Sequence, residues 1–545
     1  MTTPTPPPPD ATNNTTAQRP AGSFVSAVRV VAGVTLISRF GGLFRDAATA
    51  RVFGDSVVAS AFNFAFMIPN VFRRLFGEGA LSAAFIPEYA SLDDADRPRA
   101  GRYASLIIAL ALAATLVFTI LLELVILAAL LLAPPDPERT LALGLSMLLA
   151  PYMPMVCIAA LFAGMLQTHH RFALPAAGPI ILNAAMLAGA LVAYLALDMT
   201  PTQTAYFVAG AVLLSGAVLV VWLALALRPY VGWSRNFQDV GEPAKRTLKR
   251  FLPALLGLGA LQLSSIADGL IATYPALVGP TFLGLTYPLD ETTNGILQYS
   301  QRLYQFPLGV FGVAVATAVF PALSRAANTP HLFLDMLRRG LRLSFFIAFP
   351  ASLGLLLVRE DAARVLFKGG NFSEEGVQRA AHILTGYAVS IWAFSANQTL
   401  TRAFYARGEM NTPVRISLLC VALNLLLNVT LIWVPFLREA AFGWSAAIAF
   451  SLQCILLARA ARKLTHEPLL DRATTRAIST SLALSVAMAA PVLAVQALAP
   501  DSHDLTTTAA RLAGATLLGA LTFFALARLT RREELAWLLA RSSAR

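Results

Sequence analysis

Long blocks of apolar residues limit what this chain can fold into more than any other feature of it. Leu106 to Ala133 contains one charge, Glu123, and Phe207 to Leu227 contains none. About 20 apolar residues rising about 1.5 Å each cross a hydrocarbon core of about 30 Å. In that core the backbone has no water to bond, so each block satisfies its own amides and carbonyls as a helix. Only 13% of the residues are charged, about half the roughly 25% of a soluble chain, so a water-facing surface of this size cannot be covered. The expected fold class is an all-α polytopic membrane protein with about 14 transmembrane helices.

The net charge of +12 has a topological cause and does not point to nucleic acid. The basic residues sit in short connections between apolar blocks. The connection 229–250 holds Arg235, Lys245, Arg246, Lys249 and Arg250, and the one near 460–476 holds Arg462, Lys463, Arg472 and Arg476. The alternate connections are poor in Lys and Arg, with 359–376 as the exception. This bias places both termini in the cytoplasm. Met1 to Gly22 is rich in Pro and Thr and has no apolar signal core, so 1–24 reads as a disordered cytoplasmic tail. Cys157, Cys420 and Cys454 lie in apolar stretches without disulfide or metal-ligand spacing.

The chain repeats itself weakly. Arg74-Leu75-Phe76 precedes Ala84-Phe85-Ile86-Pro87, and Arg302-Leu303-Tyr304 precedes Ala318-Val319-Phe320-Pro321. Both copies keep the same sidedness, so the repeat is parallel. Two lobes facing each other across a central cavity follow. The expected division is an N-lobe at 25–228, a cytoplasmic linker at 229–250, a C-lobe at 251–464, two helices within 465–530 and a basic cytoplasmic tail at 531–545.

Charges inside apolar blocks carry the functional signal, because an ionised side chain at mid-bilayer costs roughly 2.5–3.5 kcal/mol on insertion scales. The first block reads Ser38-Arg39-Phe40-Gly41-Gly42-Leu43-Phe44-Arg45-Asp46. On a straight helix Arg39 and Asp46 share a face and Arg45 points elsewhere; a bend or unwinding at Gly41-Gly42 would let the arginines converge. In the second block Arg74 and Glu78 are spaced to pair, with Arg73 beside them. Arg302 lies in the eighth. Guanidinium stays protonated and grips phosphate oxygens in a bidentate way, so such a cluster suits a pyrophosphate. Snorkelling to the interface, or pairing with Asp46 and Glu78, is the alternative for each. His169-His170-Arg171 reads as a solvated turn. No HExxH, GxSxG or Walker A string is present.

The strings SRFGGLFRD at 38–46, IPNVFRRLFGEGALSAAFIP at 68–87 and QRLYQFPLGVFGVAVATAVFP at 301–321 resemble the MurJ/MviN family, bacterial lipid II flippases of the MOP exporter superfamily. The resemblance implies fourteen transmembrane helices, as two pseudo-symmetric six-helix lobes around a central cavity plus two C-terminal helices. It implies that Arg39, Arg45, Arg73 and Arg302 line the cavity and bind substrate. Asp46, Arg74 and Glu78 would serve gating or ion pairing. Some members bind sodium in the C-terminal lobe, and the matching positions are Asp268, Asn424 and Asn428; helix-to-helix hydrogen bonding is the competing reading of those groups. No other cofactor is expected. Ser60 and Gln301 stand where members often carry Asp, and the stretch from Pro275 to Asn294 is longer than usual, with no role to give it.

The expected function is the flipping of lipid II, an undecaprenyl pyrophosphate bearing a disaccharide-pentapeptide, by alternating access in a monomer surrounded by membrane lipid. The expected chain is not an enzyme. The alternatives are an exporter of another polyprenyl-linked glycan and, from a different class, an integral-membrane glycan-processing enzyme.

Overall fold

A computed structural model describes residues 21–77, 80–309, 313–465, 467–498 and 504–539. The apolar blocks are helices. In chain order they are α1 (Ala21–Phe53), α2 (Val57–Gly77), α3 (Ala80–Ala95), α4 (Arg97–Leu132), α5 (Pro137–Leu149), α6 (Tyr152–Thr168), α7 (Ala173–Ala176), α8 (Gly178–Leu191) and α9 (Pro201–Leu227). Then come α10 (Gly241–Leu277), a hairpin of β1 (Thr281–Phe282) and β2 (Leu285–Thr286), α11 (Thr293–Pro307), α12 (Val313–Ala326), α13 (Pro330–Leu357) and α14 (Arg359–Phe367). The last are α15 (Glu374–Ala406), α16 (Asn411–Leu431), α17 (Ala441–Thr465), α18 (Arg472–Leu498), α19 (Leu505–Leu529) and α20 (Glu533–Leu539). Among the described residues nine helices are long and apolar enough to cross a membrane on those grounds alone. The expectation of about 14 is compatible with this.

Local chemistry sets the helix starts. Asp96, Asp136 and Asp504 each accept a hydrogen bond from a backbone amide three residues on. Thr200 and Gln203 close a capping box ahead of α9, whose first residue is Pro201. Such caps satisfy the amides that a helix leaves unpaired at its start.

Burial then sorts the helices. The apolar window of α5–α6 is 78% buried and that of α4 only 17%, so α6 forms the core of the first lobe and α4 faces lipid. Around α6 pack α2, α4 and α9, with α8 between α1 and α9. In the second lobe α15 is central, ringed by α11, α12, α13 and α17. The pair α18–α19 packs on α13 and α14, as an appendage of the second lobe. The weak repeat has a structural counterpart: α2 with α3, and α11 with α12, are paired helices at matching places, and Pro87 and Pro321 each lie inside the second member.

Four sequence expectations are modified. The helix α1 runs unbroken through Gly41-Gly42. The connection at 229–250 is helical from Gly241 onward. The basic tail begins with α20, where buried Glu534 bonds Arg342 of α13 at 2.7 Å. His169 is not solvated: it stacks on Tyr230 at 4.5 Å and meets the Tyr89 hydroxyl at 3.2 Å. Burial first of all holds its ring below the ordinary imidazole value.

Candidate substrate cavity

Asp46 is the centre of the site. It lies on α1 next to Arg45, whose Nε and Nη2 donate to Oδ1 at 2.9 and 2.6 Å. From the second lobe, Arg302 of α11 brings Nε to 3.4 Å from Oδ2 of the same carboxylate. Two guanidiniums therefore share one anion, and the trio carries a net positive charge. The arginines meet because α1 and α11 face each other across the lobes. The helix α1 stays regular at Gly41-Gly42 and Arg39 does not join Arg45 in the cavity, so the expected convergence of those two is not found; Arg45 instead shares Asp46 with Arg302.

Asn183, on α8, fixes the geometry further. Its Oδ1 accepts from Arg45 Nη1 at 2.8 Å while its Nδ2 donates to the Ser38 carbonyl at 3.0 Å. Arg45 thus has three of its five N–H groups engaged, and its fork is held in one orientation. The sequence reading overlooked Asn183, although an isolated amide in the apolar run of α8 is the same kind of signal as a charge there.

A cavity of about 620 Å³ opens beside this trio, within the range that encloses a drug-sized group. Its wall includes Arg45, Arg73, Arg74 and Arg302, the rings of Phe66, Tyr152 and Phe172, and Asn183. Among the described lining residues there is no carboxylate. Arg73 Nε donates to Asn70 Oδ1 at 3.1 Å. Arg39, expected in the cavity, is not among its lining residues; it is exposed, and its guanidinium packs on Gly309. Glu78 lies outside the described residues. From the arginines the cavity extends to Gln167, Phe172 and Pro175, at the α6–α8 turn on the end that bears the basic connections.

The other end is closed by contacts between the lobes. Asn371 N donates to the Arg51 carbonyl at 2.8 Å, and Asn371 Nδ2 to the Val52 carbonyl at 2.7 Å. Arg51 Nη2 donates to the Val365 carbonyl at 3.0 Å, and Ser373 N to Asp55 Oδ1 at 3.0 Å. Gly54 and Gly370 have φ of +74° and +58°, and a Cβ on either would strike the opposing backbone at Asn371 or Arg51. Only glycine meets both demands. Ser60 belongs to this seal: its Oγ accepts from Gly295 N at 2.8 Å and its carbonyl from Asn294 Nδ2 at 3.1 Å. Gln301, the other departure from the common pattern, donates from Nε2 to the Tyr387 hydroxyl at 2.9 Å.

Asp268 (α10) and Asn424 and Asn428 (α16) do come together. Asn428 Nδ2 donates to Asp268 Oδ1 at 2.6 Å and to Asn424 Oδ1 at 3.3 Å. Ser264 Oγ also donates to Asn424 Oδ1, at 3.2 Å. Asn428 Oδ1 is buried and meets no donor. A carboxylate, amide oxygens and an orphaned buried acceptor are the hard donors that a small cation takes.

Comparison with known proteins agrees with this architecture. The family described as lipid II flippase MurJ matches residues 49–510. A protein of Rhizobium meliloti named a probable lipid II flippase MurJ is 31% identical over 449 residues, covering 80% of each chain. Among solved structures, a lipid II flippase MurJ in an inward closed conformation superposes with a TM-score of 0.75 at 20% identity, covering 93% of this chain and 99% of that one. An inward-facing multidrug resistance MATE transporter of the MOP superfamily superposes with a TM-score of 0.66 at 14% identity, covering 80% of this chain and 98% of that one. With a match across most of its length and a cavity built from the arginines of the motifs that carry the likeness, the chain belongs to the MurJ family of lipid II flippases, multi-pass proteins of the bacterial inner membrane.

Proposed function

We propose that this chain flips lipid II across the inner membrane by alternating access, and that Arg45, Arg73 and Arg302 hold its pyrophosphate in the cavity. The observation that carries the reading is the sharing of Asp46 by Arg45 and Arg302 on opposite lobes. A diphosphate supplies the missing counter-charge and accepts the remaining N–H groups in a bidentate way. Because the two arginines belong to different lobes, an anion between them ties substrate binding to lobe movement. Arg74 extends the same positive wall, and Asp46 releases Arg302 or Arg45 as the anion enters.

The basic end is the cytoplasmic one, with both termini there, so the cavity reaches toward the side where the lipid precursor is made and the seal at Asn371 closes the outer side. A cavity walled by arginine argues against export of cationic drugs, despite the likeness in fold to a drug transporter. Another polyprenyl-linked glycan is the nearer alternative, since it presents the same phosphate chemistry.

Complementation is the test. In a bacterium depleted of its own flippase, the intact chain restores growth, and Arg45→Ala and Arg302→Ala at equal membrane levels do not. Rescue by either variant would remove the arginines from the mechanism, and failure of the intact chain would favour a different glycan. A sodium ion at Asp268, Asn424 and Asn428 is part of the proposal. It predicts a higher melting temperature in sodium than in choline, and equal melting in both once Asp268→Asn removes the charge.

A further inference from the structure

The connection between α10 and α11 has a form that the cavity does not require. In its hairpin Thr281 pairs with Thr286, and Phe282 with Leu285. Cross-strand partners share a face, so one face is polar and the other apolar. The tip is Leu283-Gly284, with φ of +51° and +83°, the handedness that suits a two-residue hairpin turn. The apolar side is open: Leu283 is 88% exposed and Leu285 61%.

So short a hairpin is not stable alone, and aromatic rings hold this one in place. Tyr274 donates its hydroxyl to the Thr281 carbonyl at 3.1 Å, and its ring meets those of Phe282 and Tyr287. Trp433 meets the edge of Tyr287. These rings stand at the ends of α10 and α16, two helices that carry exposed leucines such as Leu270 and Leu426. Val278 and Phe436 carry that apolar surface past the last helical turns to the hairpin. Tyr and Trp favour this level of a membrane. The segment 275–294 itself contains no Lys or Arg.

We propose that the hairpin is a membrane anchor: Phe282, Leu283 and Leu285 insert into the boundary between headgroups and acyl chains, at the end opposite the basic connections. Its occupant is lipid, because the exposed apolar residues of the hairpin join helices of a membrane-spanning fold that expose apolar residues themselves. The anchor fixes the depth of the connection between α10, which carries Asp268, and α11, which carries Arg302, while the lobes move. Naming this leaflet the outer one rests on the orientation proposed above; the insertion itself does not.

The test uses the full chain with the buried Cys157, Cys420 and Cys454 replaced by Ala, and with Leu283→Cys or Thr286→Cys labelled with bimane. The protein is placed in liposomes of phosphatidylethanolamine and phosphatidylglycerol. Label at 283 is expected to shift to the blue, lose intensity to phospholipids carrying a shallow doxyl quencher, and resist aqueous iodide. Label at 286, on the polar face, is expected to respond to iodide. Equal iodide quenching at the two sites, with no doxyl effect, overturns the proposal. Shielding of 283 in native membranes but not in pure lipid also overturns it, and assigns the surface to a protein. Iodide confined to one side of sealed vesicles reports the leaflet separately, so an error in orientation is distinguishable from an error in anchoring.

Discussion

Two groups of buried arginines in this chain differ in how their charge is balanced. Around the cavity, Arg45 and Arg302 share Asp46. At the sealed end, Arg364, Lys368 and Arg511 are matched by Glu360, Asp361 and Glu374. Arg511 of α19 pairs with Asp361, which is 3% exposed, and Arg364 bonds Glu374 while reaching Glu360 at 2.9 Å. Lys368 closes on the far oxygen of Glu374 at 2.5 Å. A balanced cluster has its electrostatic demand met within the fold and serves to join helices. An unbalanced one keeps a demand that a ligand can meet. Burial alone does not separate the two roles, since Arg45 and Arg511 are each 8% exposed.

The largest expected effect tests that contrast directly. Arg511→Ala leaves Asp361 buried without its partner and should cost about 3–5 kcal/mol, read as a lower melting temperature in lipid, with transport per folded molecule retained. Arg302→Ala should do the opposite. Asp46 keeps its hydrogen bonds from Arg45, so the loss of stability should be smaller than for Arg511→Ala, while transport is lost. If both variants melt alike, or if Arg511→Ala stops transport in folded protein, charge balance is not what divides the clusters.

Asn183→Ala should have the next largest effect. It removes a hydrogen bond to a charged group, worth about 1.5–3 kcal/mol, and frees the Arg45 fork. A flipping rate lower by about tenfold or more is expected, since each 1.4 kcal/mol is a factor of ten. Asn183→Asp should be worse still than a simple loss of alignment, because it adds the second carboxylate that the trio lacks. An unchanged rate in both variants would show that Arg45 is oriented without Asn183.

The smallest effect concerns pH. Hydrogen bonding from Arg364, reinforced by Lys368, lowers Glu374 from 4.5 to about 2. A carboxylate depressed in this way stabilises the fold fully above its unfolded value and loses that contribution as pH falls from about 4.5 toward 2. Melting of the intact chain should therefore decline over that window, and Glu374→Gln should flatten the decline. A profile identical for both proteins would mean that the network contributes nothing measurable at this end.

Much of the site could be read along the chain because the bilayer makes each buried charge conspicuous. Arg45, Arg73, Arg74 and Arg302 stood out against apolar neighbours and line one cavity. Arg39 stood out for the same reason and instead lies on Gly309, away from the lining. A helical wheel reports the face of one helix and not what crosses it, so it could not distinguish these outcomes. It also suggested a bend or unwinding in α1 to bring Arg39 and Arg45 together, whereas the arginine that joins Arg45 at Asp46 comes from α11. Asn183 escaped notice because one amide is a faint signal, and its meaning depends on Arg45, 138 positions away. His169 looked solvated because it lies in a short polar turn, yet Tyr89 and Tyr230 enclose it from other segments.

Composition and the spacing of apolar blocks by themselves determined that the chain is helical and crosses a membrane many times, because lipid leaves the backbone no other way to satisfy its hydrogen bonds. Its motifs determined the family. Which arginines share a carboxylate, which have carboxylates of their own, and which end of the molecule is zipped shut were decided only by the tertiary structure. Those properties depend on distances of a few ångströms between side chains from different helices, and no local periodicity encodes them.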